Sequence, residues 1–427
     1  MNDQEATKQR PRAEAYFTPR TPAGREMFAR RDENQLQQRL EDYLTELGNQ
    51  VMLYGDTGVG KTSLLMRVAE EMGIGVARVE CYSGKSFQDL IGDAFAAIAE
   101  LQELRLEVAS TKSKTAEGEG GFNWIATMKG RYRSESVESE KREFVVVEQP
   151  AIDALVDKLI EADKKILFFD NFENIRNDSV KIQIAELMSF ISDRAKDTGN
   201  LKIVLAGIAE TASDLLSQSA AASRRTTEFE VPRMPERELS EIIGRGMKFL
   251  DLSIADKFVK RIAGLSDGFP YVTHLLGLHA ARGPLNEKRS TGDEPRTKIV
   301  EDDIKHAIQN SVSEFRQEFH TNYNLAKEMS GIVRPREHIL KALARVDGRD
   351  FRAVEIADLY RTQFGISPDK NMTFLNVALG QLRDVKHGAV LRRRHPRGRY
   401  RYGFTNPLMR PFIRLVEGTE ETPQQSG

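Results

Sequence analysis

A chain of 427 residues is too long for one ordinary hydrophobic core, so two or three domains are expected. Its 40% hydrophobic and 30% charged residues suit a globular protein, no apolar run approaches a membrane span, and Cys81, the one cysteine, excludes an intrachain disulfide and a cysteine-based zinc site. The net charge of -1 hides an asymmetry: residues 334–414 hold 18 Lys+Arg against 7 Asp+Glu, and such a basic end suits a polyanion or an acidic partner.

Residues 1–24 are polar and interrupted by Pro11, Pro19 and Pro22, which reads as a flexible or wrapping arm. This stretch carries acidic residues and lacks the apolar segment of a secretory signal, so a cytoplasmic location is expected. From 25 to 233, short apolar runs at 50–54, 75–81, 165–170, 201–207 and 228–231 alternate with helical periodicity. Runs this short and this apolar fit strands buried on both faces, hence an α/β fold with a parallel sheet flanked by helices. Within GVARVEC, Cys81 reads as a small buried hydrophobe rather than a reactive thiol.

One segment, 110–143, is polar, contains glycines and lacks sustained periodicity, so a mobile insertion is expected there, with Trp124 either packed locally or offered as a contact. Residues 234–333 carry helical patterns and read as a helical lid with a polar loop at 283–298. Residues 334–417 hold three helix-length segments and two strand-like pieces around His395-Pro396-Arg397-Gly398, the order of a winged helix-turn-helix. Residues 418–427 read as a polar tail.

The strongest chemical signal is GDTGVGKT, Gly55, Asp56, Thr57, Gly58, Val59, Gly60, Lys61 and Thr62, followed by Ser63. It satisfies the P-loop pattern and falls between an expected strand and an expected helix, where the mechanism needs it. Glycines let consecutive backbone N–H groups turn toward phosphates, and the helix adds the positive end of its dipole. Lys61, expected to be exposed in the empty loop, would neutralise the β- and γ-phosphates of ATP. Thr62 would bind Mg²⁺ through its hydroxyl. A second signal is ILFFDNFENI, residues 166–175: an apolar strand ending in Asp170, placed to hold Mg²⁺ beside the phosphates through water.

The P-loop, the DNFE continuation, GFP at 268–270 and the terminal winged helix together resemble the STAND and origin-recognition-like branch of the AAA+ ATPases. The resemblance covers about residues 25–280 and the remainder only in architecture. It implies an acid directly after the strand aspartate to orient the attacking water; Asn171 stands there, and Glu173 is the nearby substitute. It also implies an adenine-contacting motif before the P-loop, matched at Arg31 and Asp32 but with Arg30 in place of glycine. An arginine reaching a neighbouring subunit's γ-phosphate would be Arg224 or Arg225, which otherwise decorate a solvated turn. Pro270 would open a lid helix over the nucleotide, and His274 on that helix either reaches the nucleotide or packs within the lid.

In the winged domain the third helix offers few charges, whereas the hairpin clusters Arg392, Arg393, Arg394, Arg397, Arg399 and Arg401 with Tyr400 and Tyr402. That combination suits phosphate and sugar contact more than base reading, with an acidic protein surface as the rival partner. The expectation is an ATP- and Mg²⁺-dependent ATPase that changes shape or oligomerises with nucleotide and contacts DNA, without a membrane. The alternative is a nucleotide-gated signalling or defence scaffold that binds a protein partner and hydrolyses little ATP. A P-loop kinase is disfavoured, since nothing marks an acceptor pocket.

Overall fold

A computed structural model describes residues 12–31, 35–98, 149–208, 220–286, 296–328, 334–346, 348–367, 372–394 and 400–420. The expected insertion at 110–143, with Trp124, lies outside the described residues, as do Asp32 and the residues of the tail from 421 onward. The chain divides into two compact units. One comprises Arg30–Asp56 and Gly60–Pro232, and the other comprises Met1–Ala29, Thr57–Val59 and Arg233–Gly427.

The elements in chain order begin with α1 (Ala13–Tyr16), α2 (Leu36–Thr45), β1 (Gln50–Tyr54), α3 (Lys61–Glu71), β2 (Gly75–Glu80) and α4 (Phe87–Ile98). There follow α5 (Gln149–Glu161), β3 (Lys164–Asp170), α6 (Asp178–Asp193), β4 (Lys202–Gly207), α7 (Ala220–Arg225) and β5 (Thr226–Glu230). The five apolar runs form one parallel sheet in the order β2-β3-β4-β1-β5. Residues at alternating positions face opposite sides of a strand, so each needs a cover on both faces. On one face Met52, Ala77, Val79, Leu167, Phe169, Ile203 and Leu205 join side chains of α4, α5 and α6 in a continuous core. Cys81 belongs to that core, and burial pushes its thiol pKa up to about 12, which makes it inert at neutral pH.

The other unit continues with α8 (Glu236–Phe249), α9 (Asp256–Ser266), α10 (Pro270–Asn286), α11 (Glu301–Glu314), α12 (Gln317–Lys327) and α13 (Pro335–Arg345). It ends in α14 (Ala353–Phe364), α15 (Phe374–Gln381), the antiparallel pair β6 (Leu391–Arg394) and β7 (Arg401–Phe404), and α16 (Met409–Glu420). The last helix was not evident in the sequence and runs past 418, where a polar tail was expected. Its apolar face is the reason: Phe412 is buried among Phe315, Phe319, His320 and Tyr323.

The described part of the N-terminal arm is packed rather than flexible. Phe17 is 1% exposed, its ring lies where Cβ atoms on Gly246 of α8 and Gly277 of α10 would otherwise sit, and Tyr16 stacks on Phe249 at 5.0 Å. Arg20 pairs with Glu314 at 2.8 Å and Arg282 with Glu14 at 2.9 Å, fastening the strap at both ends. Elsewhere in this unit Asp267, 9% exposed, accepts ion pairs from Arg233, Arg410 and Arg414, the last two at 3.3 Å. One carboxylate thereby ties the start of α10 to the terminal helix, and the cluster is hard to dismantle because it is desolvated.

Candidate nucleotide-binding site

The loop from Gly55 to Gly60 leaves β1 and enters α3 through backbone conformations that require glycine. Gly58 has φ 88° and Gly60 φ 94°, and a side chain at either would strain the left-handed geometry. Gly60 caps α3, so the first-turn N–H groups of Lys61, Thr62 and Ser63 gather at the positive end of the helix. Lys61 is partly buried, not exposed as the sequence suggested. Its Nζ donates to the carbonyls of Gly55 at 2.9 Å and Asp56 at 3.2 Å, which shapes the loop around the ammonium group. Burial pushes the Lys61 pKa down, while the charges of Glu173, Asp170 and Asp56 pull it back up.

Asp170 ends β3 and is 2% exposed. Its Oδ2 accepts from Thr62 Oγ1 at 2.8 Å and from Arg78 Nε and Nη2 at 3.1 and 2.8 Å, and its Oδ1 accepts from the Asn171 amide at 3.0 Å. Asn171 has φ 57°, a left-handed conformation that Asn tolerates better than Glu, which explains the residue found where an acid was expected. Its Nδ2 donates to Glu80 Oε1 at 3.2 Å, at the end of the neighbouring strand. The left-handed turn starts a short 3₁₀ segment, Phe172–Asn174, that carries Glu173 back toward the loop. Burial raises the Glu173 carboxyl pKa, against the opposing pull of Lys61, and its Oε2 is buried without a hydrogen-bond partner. An acid in that state is positioned to accept a hydrogen bond from a molecule entering the site.

Thr62 and Asp170 present hard oxygen donors of the kind Mg²⁺ takes, one or two from protein with phosphates and waters completing the shell. Among the described residues there is no cluster of three or more His, Cys, Asp or Glu able to cage a metal, so the fit is of this sparse type. The other expected residues are spread more widely. Arg31 is 3% exposed, and its Nη2 donates to the Pro232 carbonyl at 2.7 Å. Arg225 on α7 pairs with Asp193, while Arg224 beside it is exposed. In the other unit, Pro270 is the first residue of α10. His274, 4% exposed, accepts from the Thr18 amide at Nδ1 over 3.1 Å, so it is a packed residue holding the N-terminal strap.

Sequence reasoning missed Arg78 and Glu80. Their signal was present as two charges at alternating positions of the otherwise apolar GVARVE, but assigning them to Asp170 required knowing that β2 lies beside β3.

Residues 26–204 match the AAA ATPase domain. The match runs from before β1 into the start of β4 and includes the P-loop, Arg78, Asp170 and Glu173. No protein of curated function matches the sequence. Among solved structures, the fold is similar to the Walker-type ATPase PABY2304 of Pyrococcus abyssi, at 19% identity over 93% of this chain and 99% of that one, with a TM-score of 0.55. It is also similar to the ORC2 protein of Aeropyrum pernix (14% identity, 92% and 94% covered, TM-score 0.47) and to Cdc6p of Pyrobaculum aerophilum (15%, 96% and 98%, 0.44). The shared fold rests on the first of these. The described residues thus form a five-stranded parallel sheet with a P-loop at the end of β1, followed by a helix-rich C-terminal part.

The C-terminal basic residues sit on a short hairpin. Arg392, Arg393 and Arg394 form β6, and Arg401 opens β7; Arg397 and Arg399 lie outside the described residues. The Arg393 guanidinium lies 3.8 Å from the Tyr400 ring centroid. Arg394 pairs with Asp350 at 3.5 Å, and Arg401 donates to the Asp350 carbonyl at 3.1 Å. Phe351 extends the hairpin by a two-way backbone bridge to Tyr402. Among the described residues, no helix is long and apolar enough to cross a membrane.

Proposed function

We propose that this chain binds ATP with Mg²⁺ and works as a slow AAA+/STAND-type ATPase whose nucleotide state drives a change of conformation or of oligomeric state, in a cytoplasmic setting. The observation that carries this reading is the convergence of Lys61, Thr62, Asp170 and Glu173, in which a P-loop ammonium, a hydroxyl joined to a strand-end carboxylate and a buried acid with one oxygen left over meet. Bound Mg²⁺ would screen the charge on the phosphate oxygens. Glu173 is then the acceptor for the proton of a water attacking the γ-phosphorus, as the bond to the bridging oxygen breaks and ADP leaves. Arg224, exposed at the end of α7, is the better placed of the two arginines to serve a neighbouring subunit, since Arg225 is engaged by Asp193. Arg31 and Pro270 remain the adenine-side and lid candidates by resemblance.

The three helices α13 to α15, the hairpin and the Phe351 bridge to it support a winged helix, and its arginines support contact with DNA phosphates with little sequence preference. Calorimetry with ADP and a non-hydrolysable ATP analogue in Mg²⁺ tests the first part: binding with measurable heat is expected, and none from folded protein overturns it. Duplex DNA binding at two salt concentrations tests the second. Affinity should fall with a log–log slope of about -0.9 per phosphate contacted, and salt-insensitive or absent binding removes DNA as the partner.

A second reading, a nucleotide-gated scaffold that binds a protein and hydrolyses little ATP, is favoured by Asn171, whose left-handed backbone and bond to Glu80 occupy the place of an acid. ATP turnover measured with and without DNA separates the two.

A further inference from the structure

Strand β2 carries one basic side chain to the metal-binding end of the sheet. Ala77 and Val79 on either side of Arg78 are 0% and 1% exposed and belong to the core, so Arg78 points to the opposite face, which it shares with Asp170. Two of its nitrogens converge on Asp170 Oδ2, at 3.1 and 2.8 Å, the same oxygen that accepts the Thr62 hydroxyl. The Asp170 side chain is 3% exposed and the Arg78 side chain 34%. The pair is therefore anchored at its acidic end and open to water at its basic end. A carboxylate at that depth needs a counter-charge. A divalent cation and a guanidinium are alternative ways to supply one, and Mg²⁺ held by Thr62 and this carboxylate would answer the charge that Arg78 already answers.

We propose that Arg78 is the resident counter-cation of Asp170, which holds the carboxylate aimed at Thr62 and competes with Mg²⁺ for it, so that Arg78 sets the Mg²⁺ concentration at which the nucleotide site responds. The proposal rests on the P-loop reading above and extends it to regulation by the metal. The guanidinium's partial exposure gives it room to move into solvent once displaced, and its planar fork explains the two bonds to one oxygen. Lysine at this position would retain the charge and lose the fork.

The test uses the full chain and a fluorescent ADP analogue. Binding is first measured in EDTA, and Mg²⁺ is then titrated while the nucleotide signal is followed. Arg78→Met should move the Mg²⁺ midpoint to lower concentration by about fivefold, the scale of a partly solvated ion pair, and Arg78→Lys should leave it within about twofold of the parent. In an Asp170→Asn background the Arg78→Met shift should vanish, because the negative charge being contested is gone. If Arg78→Met does not give the parent circular dichroism spectrum, Arg78→Gln, which keeps a donor for Oδ2 without the charge, carries the same test. An unchanged midpoint overturns the proposal, and so does a higher one, which would mean that Arg78 recruits the metal–nucleotide complex instead. Absence of nucleotide binding by the parent protein in every condition is a separate result and overturns the nucleotide site itself.

Discussion

The hydroxyl of Thr62 donates to Oδ2 of Asp170 across 2.8 Å, joining the first turn of one helix to the end of a strand 108 residues later. Beside it, the Lys61 ammonium group holds the Gly55 and Asp56 carbonyls. These contacts preorganise the loop before phosphate arrives, so nucleotide binding does not have to create the cradle.

Lys61→Ala removes both the positive charge that would face phosphate and the loop's own clasp. Nucleotide affinity should fall by roughly one to two orders of magnitude, the scale of one or two charge-assisted hydrogen bonds. Thr62→Ala should bind ADP normally in EDTA and lose the gain on adding Mg²⁺. Calorimetry reads both, and a Lys61→Ala protein with the parent's affinity contradicts the site.

Glu173→Gln should keep nucleotide binding and lower ATP turnover by about a hundredfold, within the range of general-base removal. Its stability effect has a definite sign. Burial raises the Glu173 pKa in the folded state, so the folded protein favours the neutral acid, and the parent loses stability as pH rises through that raised value. Glu173→Gln should therefore melt at or above the parent temperature at pH 8, with the difference vanishing at low pH. Melting curves across that range check it.

His274 titrates the N-terminal strap. Burial lowers its pKa from 6.5 to about 4, so the unfolded chain takes up the proton first as pH falls. Stability present above pH 6.5 should be lost progressively between pH 6.5 and pH 4, by about 3 kcal/mol from this residue alone. His274→Asn offers the Thr18 amide a non-titrating acceptor, and its urea midpoint should fall less steeply with acid than the parent's. Equal slopes would show that His274 does not contribute.

Gly277→Ala should destabilise the protein by about 1–3 kcal/mol, because its Cβ overlaps the Phe17 ring, and a filled core tolerates added volume poorly. Phe17→Ala should cost about 3–5 kcal/mol. The double variant should cost less than the two together, since removing the ring removes the clash. Strict additivity in denaturant titrations would place Phe17 elsewhere.

Much of the core was legible because its signals are local. Each of the five strands was marked by an apolar run too short for a helix, and GDTGVGKT announced its loop because only glycines reach φ near 90° at Gly58 and Gly60. Asp170 was legible for the same reason, as an acid closing an apolar strand. The lysine's exposure was misjudged, since nothing in the spacing shows that Nζ folds back onto Gly55 and Asp56. The arm was read as flexible or wrapping, and its described part wraps, but its prolines and polar residues hide Phe17, whose receiving slot is made by glycines 229 and 260 positions further along the chain.

The sequence alone determined where the glycine-turned loop after β1 can form and which strand ends in a carboxylate, because steric permission at glycine and the clustering of apolar residues act over a few positions. Only the tertiary structure decided what surrounds that carboxylate. The order β2-β3-β4-β1-β5 sets Arg78 and Glu80 beside Asp170 and Asn171, some ninety residues apart in the chain, and strand order is fixed by burial of the whole sheet rather than by any one segment.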